Sequence, residues 1–130
     1  MIFSIVITGA PYSSQSADTA LRFATSALSQ GHQIHRVFFY ADAVHTASSL
    51  AAPPQDETNI PQNWSQLAQQ HNLDLVVCIA AAVRRGIMDD NEARRYEKET
   101  GNLAENFTLS GLGQLVEAGI VSDRVITFGA

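Results

Sequence analysis

Among its 130 residues the chain has one cysteine, Cys78, and one lysine, Lys98. A single thiol excludes an intramolecular disulfide and a Cys-x-x-Cys exchange within the chain. Any redox or sulfur chemistry at Cys78 needs a second thiol from another molecule. Charge is also sparse, at 16% of residues, and it is unbalanced: 8 basic against 13 acidic, a formal net charge of −5. Nucleic-acid affinity rests largely on Lys and Arg neutralising phosphates, so a chain this acidic is not expected to hold nucleic acid directly. No apolar run approaches the ~20 residues of a membrane span. The opening MIFSIVITGAPYSS has no basic region and too short an apolar run for a signal peptide, so a cytoplasmic setting without a membrane partner is expected. The four histidines, His32, His35, His45 and His71, form no pair at ligand spacing with each other or with Cys78, so no structural metal is expected. Neither a Walker pattern nor G-x-G-x-x-G occurs, and no cofactor is expected.

What is present is ordinary globular composition, 45% hydrophobic, over a one-domain length. Ile2 to Ile7 is a short, β-branched, nearly continuous apolar run and predicts a buried strand. Thr8 to Gln15 reads as loop. Ser16 is expected to cap a helix whose apolar positions are Ala17, Ala20, Leu21, Ala24, Ala27 and Leu28, with Gly31 as its stop. Ile34 to Tyr40 predicts a second strand, and residues 41–50 a short helix or ordered loop. After the break at Pro53-Pro54, Pro61 sits where a helix through Trp64 and Leu67 would start. Leu73 to Ala80 predicts a third strand. Asp89 and Glu92 predict a capped helix from Asp90 to about Glu99. Residues 103–109 read as loop or short strand, Ser110 as the start of a last helix, and Arg124 to Phe128 as the closing strand. This alternation predicts one α/β domain over residues 1–130. It would have three layers (α/β/α) and a mostly parallel sheet of about five strands covered by helices on both faces.

In open parallel sheets, ligands bind beyond the carboxyl ends of the strands. That directs attention to the loops 8–16 and 40–46, the segment from Cys78 to Gly86, and the chain end. Cys78 falls near the end of the third strand, and Arg84 and Arg85 follow it. Positive charge and helix amides favour thiolate, the nucleophilic form of cysteine. A lone Cys in an apolar strand is more often a small buried hydrophobe, and spacing alone leaves both readings open. His45 sits on a site-edge loop and is a candidate for acid–base work. The loop 8–16 could cradle a phosphate at a helix start, although a polar crossover loop is the commoner reading. His35, inside a strand, is read as a packed or surface residue.

The segments VFFYADAV, LDLVVCIAAAVRRGIMDDNEA and FTLSGLGQLVEAGIVSDRVITFG, with the opening ITGAPYSSQSADTALRFATSAL and the PPQDE turn, resemble the TusD/DsrE family of sulfurtransferase subunits. The resemblance runs through the whole chain in order. It implies a DsrE/F-like α/β fold and a persulfide carried on Cys78, with Tyr40, His45, Arg84 and Arg85 as supporting site residues. It implies assembly with TusB- and TusC-like subunits as a heterohexamer holding two copies of each. It further implies a TusA-like sulfur donor and a TusE/DsrC-like acceptor, leading to 2-thiouridine at the tRNA wobble position. In sulfur-oxidising bacteria the related DsrE works with DsrF and DsrH beside DsrC, so the same residues also fit that route. A non-catalytic structural subunit of the same assembly is the third possibility. One departure is Ala43, where many relatives carry Gly.

Overall fold

The computed structural model describes residues 1–129. Five strands form one sheet: β1 (Ile2–Ile7), β2 (Gln33–Phe39), β3 (Leu75–Cys78), β4 (Phe107–Ser110) and β5 (Arg124–Phe128). Their spatial order is β4-β3-β2-β1-β5, and every neighbouring pair is parallel. The helices are α1 (Ser16–Ser29), α2 (Ile60–His71), α3 (Ile79–Arg84), α4 (Asp90–Arg95) and α5 (Gly113–Val121), with a 3-10 turn over Ala41–Ala47. No helix among the described residues is long and apolar enough to cross a membrane.

Alternation along β1 assigns the two faces. Phe3 packs edge-on against Phe23 of α1, whereas the Ser4 hydroxyl meets that of Ser122, just after α5, at 2.6 Å. Adjacent strand residues point to opposite faces, so α1 and α5 lie on opposite sides of the sheet. The α1 side is thick. Trp64 of α2 is fully buried, packs edge-on against Phe39, and donates its indole N–H to the Ala17 carbonyl at 3.0 Å. The α5 side is thin, since α5 buries only Ala118.

Local chemistry sets the element ends. Asn59 caps α2 by accepting from the Gln62 amide, and Asn72 closes it in the left-handed region at φ 54°. Asp89 caps α4 by accepting from the Glu92 amide at 2.8 Å, as its spacing predicts. Gly31 turns the chain at φ +87°, a conformation that strains side-chain-bearing residues.

Four expectations need correction. Ser16 does not cap α1: it is a buried helical residue, and its amide donates to the Ser14 hydroxyl at 3.1 Å. The third strand starts at Leu75 and stops at Cys78, because the alanines that follow prefer helix and open α3 at Ile79. The helix after Asp89 ends at Arg95, short of Glu99. Ser110 ends β4 rather than starting a helix, and α5 begins at Gly113.

The thin face is held by ions. The chain bulges at His35, where β1 register passes from Ile34 to Arg36. A bulge lets adjacent side chains share a face, and here His35 and Arg36 both reach Glu117 of α5. Arg36 also donates to Asp74 at 2.8 Å and to the Gln114 carbonyl at 2.9 Å. Burial opposes the Arg36 charge, but hydrogen bonds to Glu117 and Asp74 outweigh it and raise the guanidinium pKa. Glu117 is correspondingly held below the usual carboxylate range, by the Arg36 hydrogen bond first and that of His35 second.

Candidate functional site

Cys78 is the last residue of β3 and the residue before α3, so strand and helix meet at its sulfur. Its register partner on the neighbouring strand is Ser110 at the end of β4. The residue is 3% exposed, but it lines a hollow of about 440 Å³ that opens at the carboxyl end of the sheet. The wall comes from three places. Tyr40 and Ala41 follow β2, Ile79 to Ala81 with Arg84 and Arg85 belong to α3 and its end, and Gly111 and Leu112 join β4 to α5. A parallel sheet produces this convergence because every strand delivers its following loop to the same edge.

Of the residues singled out from sequence, Cys78, Tyr40, Arg84 and Arg85 come together here. His45 does not line the hollow; it is exposed on the 3-10 turn. The two arginines differ. Arg85 donates Nε to Asp42 at 2.9 Å and Nη1 to the Ala81 carbonyl at 3.2 Å. Arg84 is exposed and has no ion-pair partner among the described residues. Asp42 falls in the loop 40–46 and Leu112 in the segment SGLGQ, but the sequence assigns neither a role. Asp42 alone gives no sign that it will reach a side chain 43 positions away. The glycines flanking Leu112 mark a close turn, but not which loop they face. The unusual backbone of the 40–44 segment falls on Ala41, at φ 51°, and not on Ala43, which is buried in the 3-10 turn.

A larger hollow of about 690 Å³ lies beside the loop 8–16. Its lining includes Asp18, Asp56 and Glu57 against one cation, Arg22, which Asp18 holds at 3.1 Å. That electrostatic balance disfavours a phosphate there. Cys78 is the one thiol of the chain, and among the described residues no cluster of three or more His, Cys, Asp or Glu is assembled to hold a metal. What the Cys78 hollow offers is a sulfur nucleophile, a free guanidinium and a mouth open to solvent.

The profile of the DsrE/DsrF-like family matches residues 1–128. The chain belongs to this family. It is 50% identical to a protein of Allochromatium vinosum described as "Putative sulfurtransferase DsrE", over 99% of each chain. Its fold is similar to the crystal structure of the ychN protein from E. coli, with a TM-score of 0.79 and 25% identity, covering 98% of this chain and 99% of that one. The expected single-domain α/β fold with its parallel sheet is thereby borne out, and so is the family resemblance.

Proposed function

We propose that this chain is a sulfurtransferase subunit of a sulfur relay and that Cys78 carries the sulfur as a persulfide. The observation that carries the reading is the position of the only thiol: at the head of a hollow on the carboxyl edge of the sheet, with a free guanidinium in the same wall. The 50%-identical relative, named for sulfur transfer, supports it.

The chemistry follows thiol–disulfide exchange. The Cys78 thiolate attacks the outer sulfur of a persulfide on a donor protein. A new S–S bond forms on Cys78, the donor's S–S bond breaks, and the electron pair leaves on the donor's thiolate. A partner thiolate then attacks the outer sulfur of the Cys78 persulfide and takes it away, returning Cys78 as thiolate. Each step exchanges one S–S bond for another, so no external oxidant or reductant is consumed. With one cysteine in the chain, each transfer must cross to another molecule.

In the full reading, a TusA-like protein is the donor and a TusE-like protein the acceptor, with TusB- and TusC-like subunits completing a heterohexamer. The endpoint is 2-thiouridine at the tRNA wobble position. The DsrE name of the Allochromatium vinosum relative favours a second route, dissimilatory sulfur oxidation with a DsrC-like acceptor. Labelled sulfur tests both. The chain is incubated with a persulfide-loaded TusA-like donor, then with TusE-like or DsrC-like acceptor. Label on the wild-type chain, lost in Cys78→Ala and passed to one acceptor, is the expected result. Label retained by Cys78→Ala would refute the reading.

A further inference from the structure

We propose that Arg84 is the specificity-determining cation of the Cys78 hollow, receiving an anionic group carried beside the incoming sulfur. In the same proposal, Arg85 and Asp42 form a positioning pair that holds the mouth of the hollow. This deepens the sulfur-relay reading and rests on it.

The two arginines are sequence neighbours but have different electrostatic fates. Successive helical residues point about 100° apart, so Arg84 and Arg85 leave the end of α3 in different directions. Arg85 spends its donors inside the fold, on Asp42 and on the carbonyl of Ala81 one turn back. Its charge is neutralised where it stands. Among the described residues Arg84 has no such partner. The remaining wall residues, Tyr40, Ala41, Ile79, Ala80, Ala81, Gly111 and Leu112, bear no formal charge. The hollow is therefore cationic in a chain whose formal net charge is −5. An anion meets a net acidic molecule and, in the wall of the hollow that Cys78 lines, a guanidinium with no ion-pair partner among the described residues. A cleft lined by one sign of charge concentrates the opposite sign and speeds its arrival.

The Asp42–Arg85 pair has a mechanical role. It joins the 3-10 turn to the end of α3 across the rim of the hollow. The residue between Tyr40 and Asp42 is Ala41 in the left-handed region, at φ 51°. A non-glycine residue persists there only when its surroundings hold it. The Ala43 amide bonded to the Tyr40 carbonyl at 3.0 Å and the Asp42–Arg85 bond are the restraints on either side.

The test uses two methanethiosulfonate reagents of similar size, one bearing a sulfonate and one a quaternary ammonium. Each is reacted with Cys78 of the full chain under native conditions, and the quantity read is the ratio of the two rates. Arg84→Gln is expected to lower the anionic-to-cationic ratio about tenfold, the lower end of field-driven rate effects. Arg84→Lys, which keeps the charge, should retain the ratio. The double variant Asp42→Asn/Arg85→Gln keeps the charge sum and should raise both rates together. A ratio unchanged in Arg84→Gln, or a double variant with both rates as in wild type, overturns the proposal. So does a wild-type thiol that reacts with neither probe, since the hollow would then not reach the sulfur. Sulfate and a glutamate-rich peptide without cysteine, neither of which consumes the probe, are added singly as protectants and separate a small inorganic source of the anion from a polypeptide one. One of them should slow the anionic probe on wild type and not on Arg84→Gln; if neither does, the assignment fails. The probes react with any accessible thiol, so these outcomes are independent of sulfur loading. A chain that shows the expected ratios but takes up no sulfane sulfur refutes the relay reading, whereas an unchanged ratio on a chain that does take up sulfur refutes the role of Arg84 alone.

Discussion

Replacing Arg36 with Met removes the ion that fastens α5 to the sheet. The side chain is 10% exposed, and it donates to Asp74, Glu117 and the Gln114 carbonyl. Hydrogen bonds to charged groups contribute roughly 1.5–3 kcal/mol each when fully buried. Here both carboxylates are 45% exposed and regain water in the variant, so each of those bonds is worth nearer the ~0.2–1 kcal/mol of exposed pairs. The Gln114 bond adds about 1 kcal/mol, and Met keeps most of the apolar stem packing. The expected loss is about 1.5–3 kcal/mol, read as a lower urea midpoint at unchanged slope. The loss should also be local. Because α5 buries only Ala118, its amides should lose hydrogen-exchange protection before those of β1 and β2 do. Leu112 just before α5 walls the Cys78 hollow, so thiol reactivity should rise with the same variant. A loss below about 0.5 kcal/mol, or α5 amides protected as in wild type, would refute the claim that ions rather than packing hold this helix.

Other perturbations follow from the same contacts. Trp64→Ala removes a fully buried ring and leaves the Ala17 carbonyl without its donor; a cost of about 4 kcal/mol in chemical denaturation is expected, and a cost near zero would mean the core lies elsewhere. Gly101→Ala would place a Cβ 2.6 Å from the backbone carbon of Asp89; overpacking of this kind costs about 1–3 kcal/mol, and a neutral melting temperature would contradict the packing of 101 against 89. Glu117 has a depressed folded pKa, so its contribution is present above the unfolded value of about 4.5 and is lost as pH falls through the folded one. Stability measured from pH 6 downward should therefore fall more steeply in wild type than in Glu117→Gln, and parallel curves would count against the Arg36–Glu117–His35 cluster.

Much of this fold was legible in the chain because its central strands are continuous apolar runs. Ser4–Ile7 and Val37–Phe39 are buried on both faces, as the inner strands of a covered parallel sheet are. β4 was harder to read. It has four residues at the sheet edge, with only Phe107 buried, so neither a long apolar run nor a clean alternation marks it. The strand end at Cys78 was blurred because Ile79 and the alanines extend the apolar run while adopting helix. The site was half legible. Cys78 and the arginines after it stand within seven residues of sequence, and Tyr40 follows a strand end. Asp42, Gly111 and Leu112 join them only through the sheet order, which no local pattern encodes. The pairing of Arg36 with Glu117 was invisible for the same reason, since the bulge that turns His35 and Arg36 to one face is a tertiary feature.

Persulfide loading of Cys78 is tested by intact-protein mass spectrometry of the full chain after exposure to a persulfide-loaded donor, with reductant excluded. A gain of one sulfur atom on Cys78, removed by reductant or by an acceptor thiol and absent in Cys78→Ala, is the expected result. No gain on a chain whose thiol is shown to be free and accessible would contradict it.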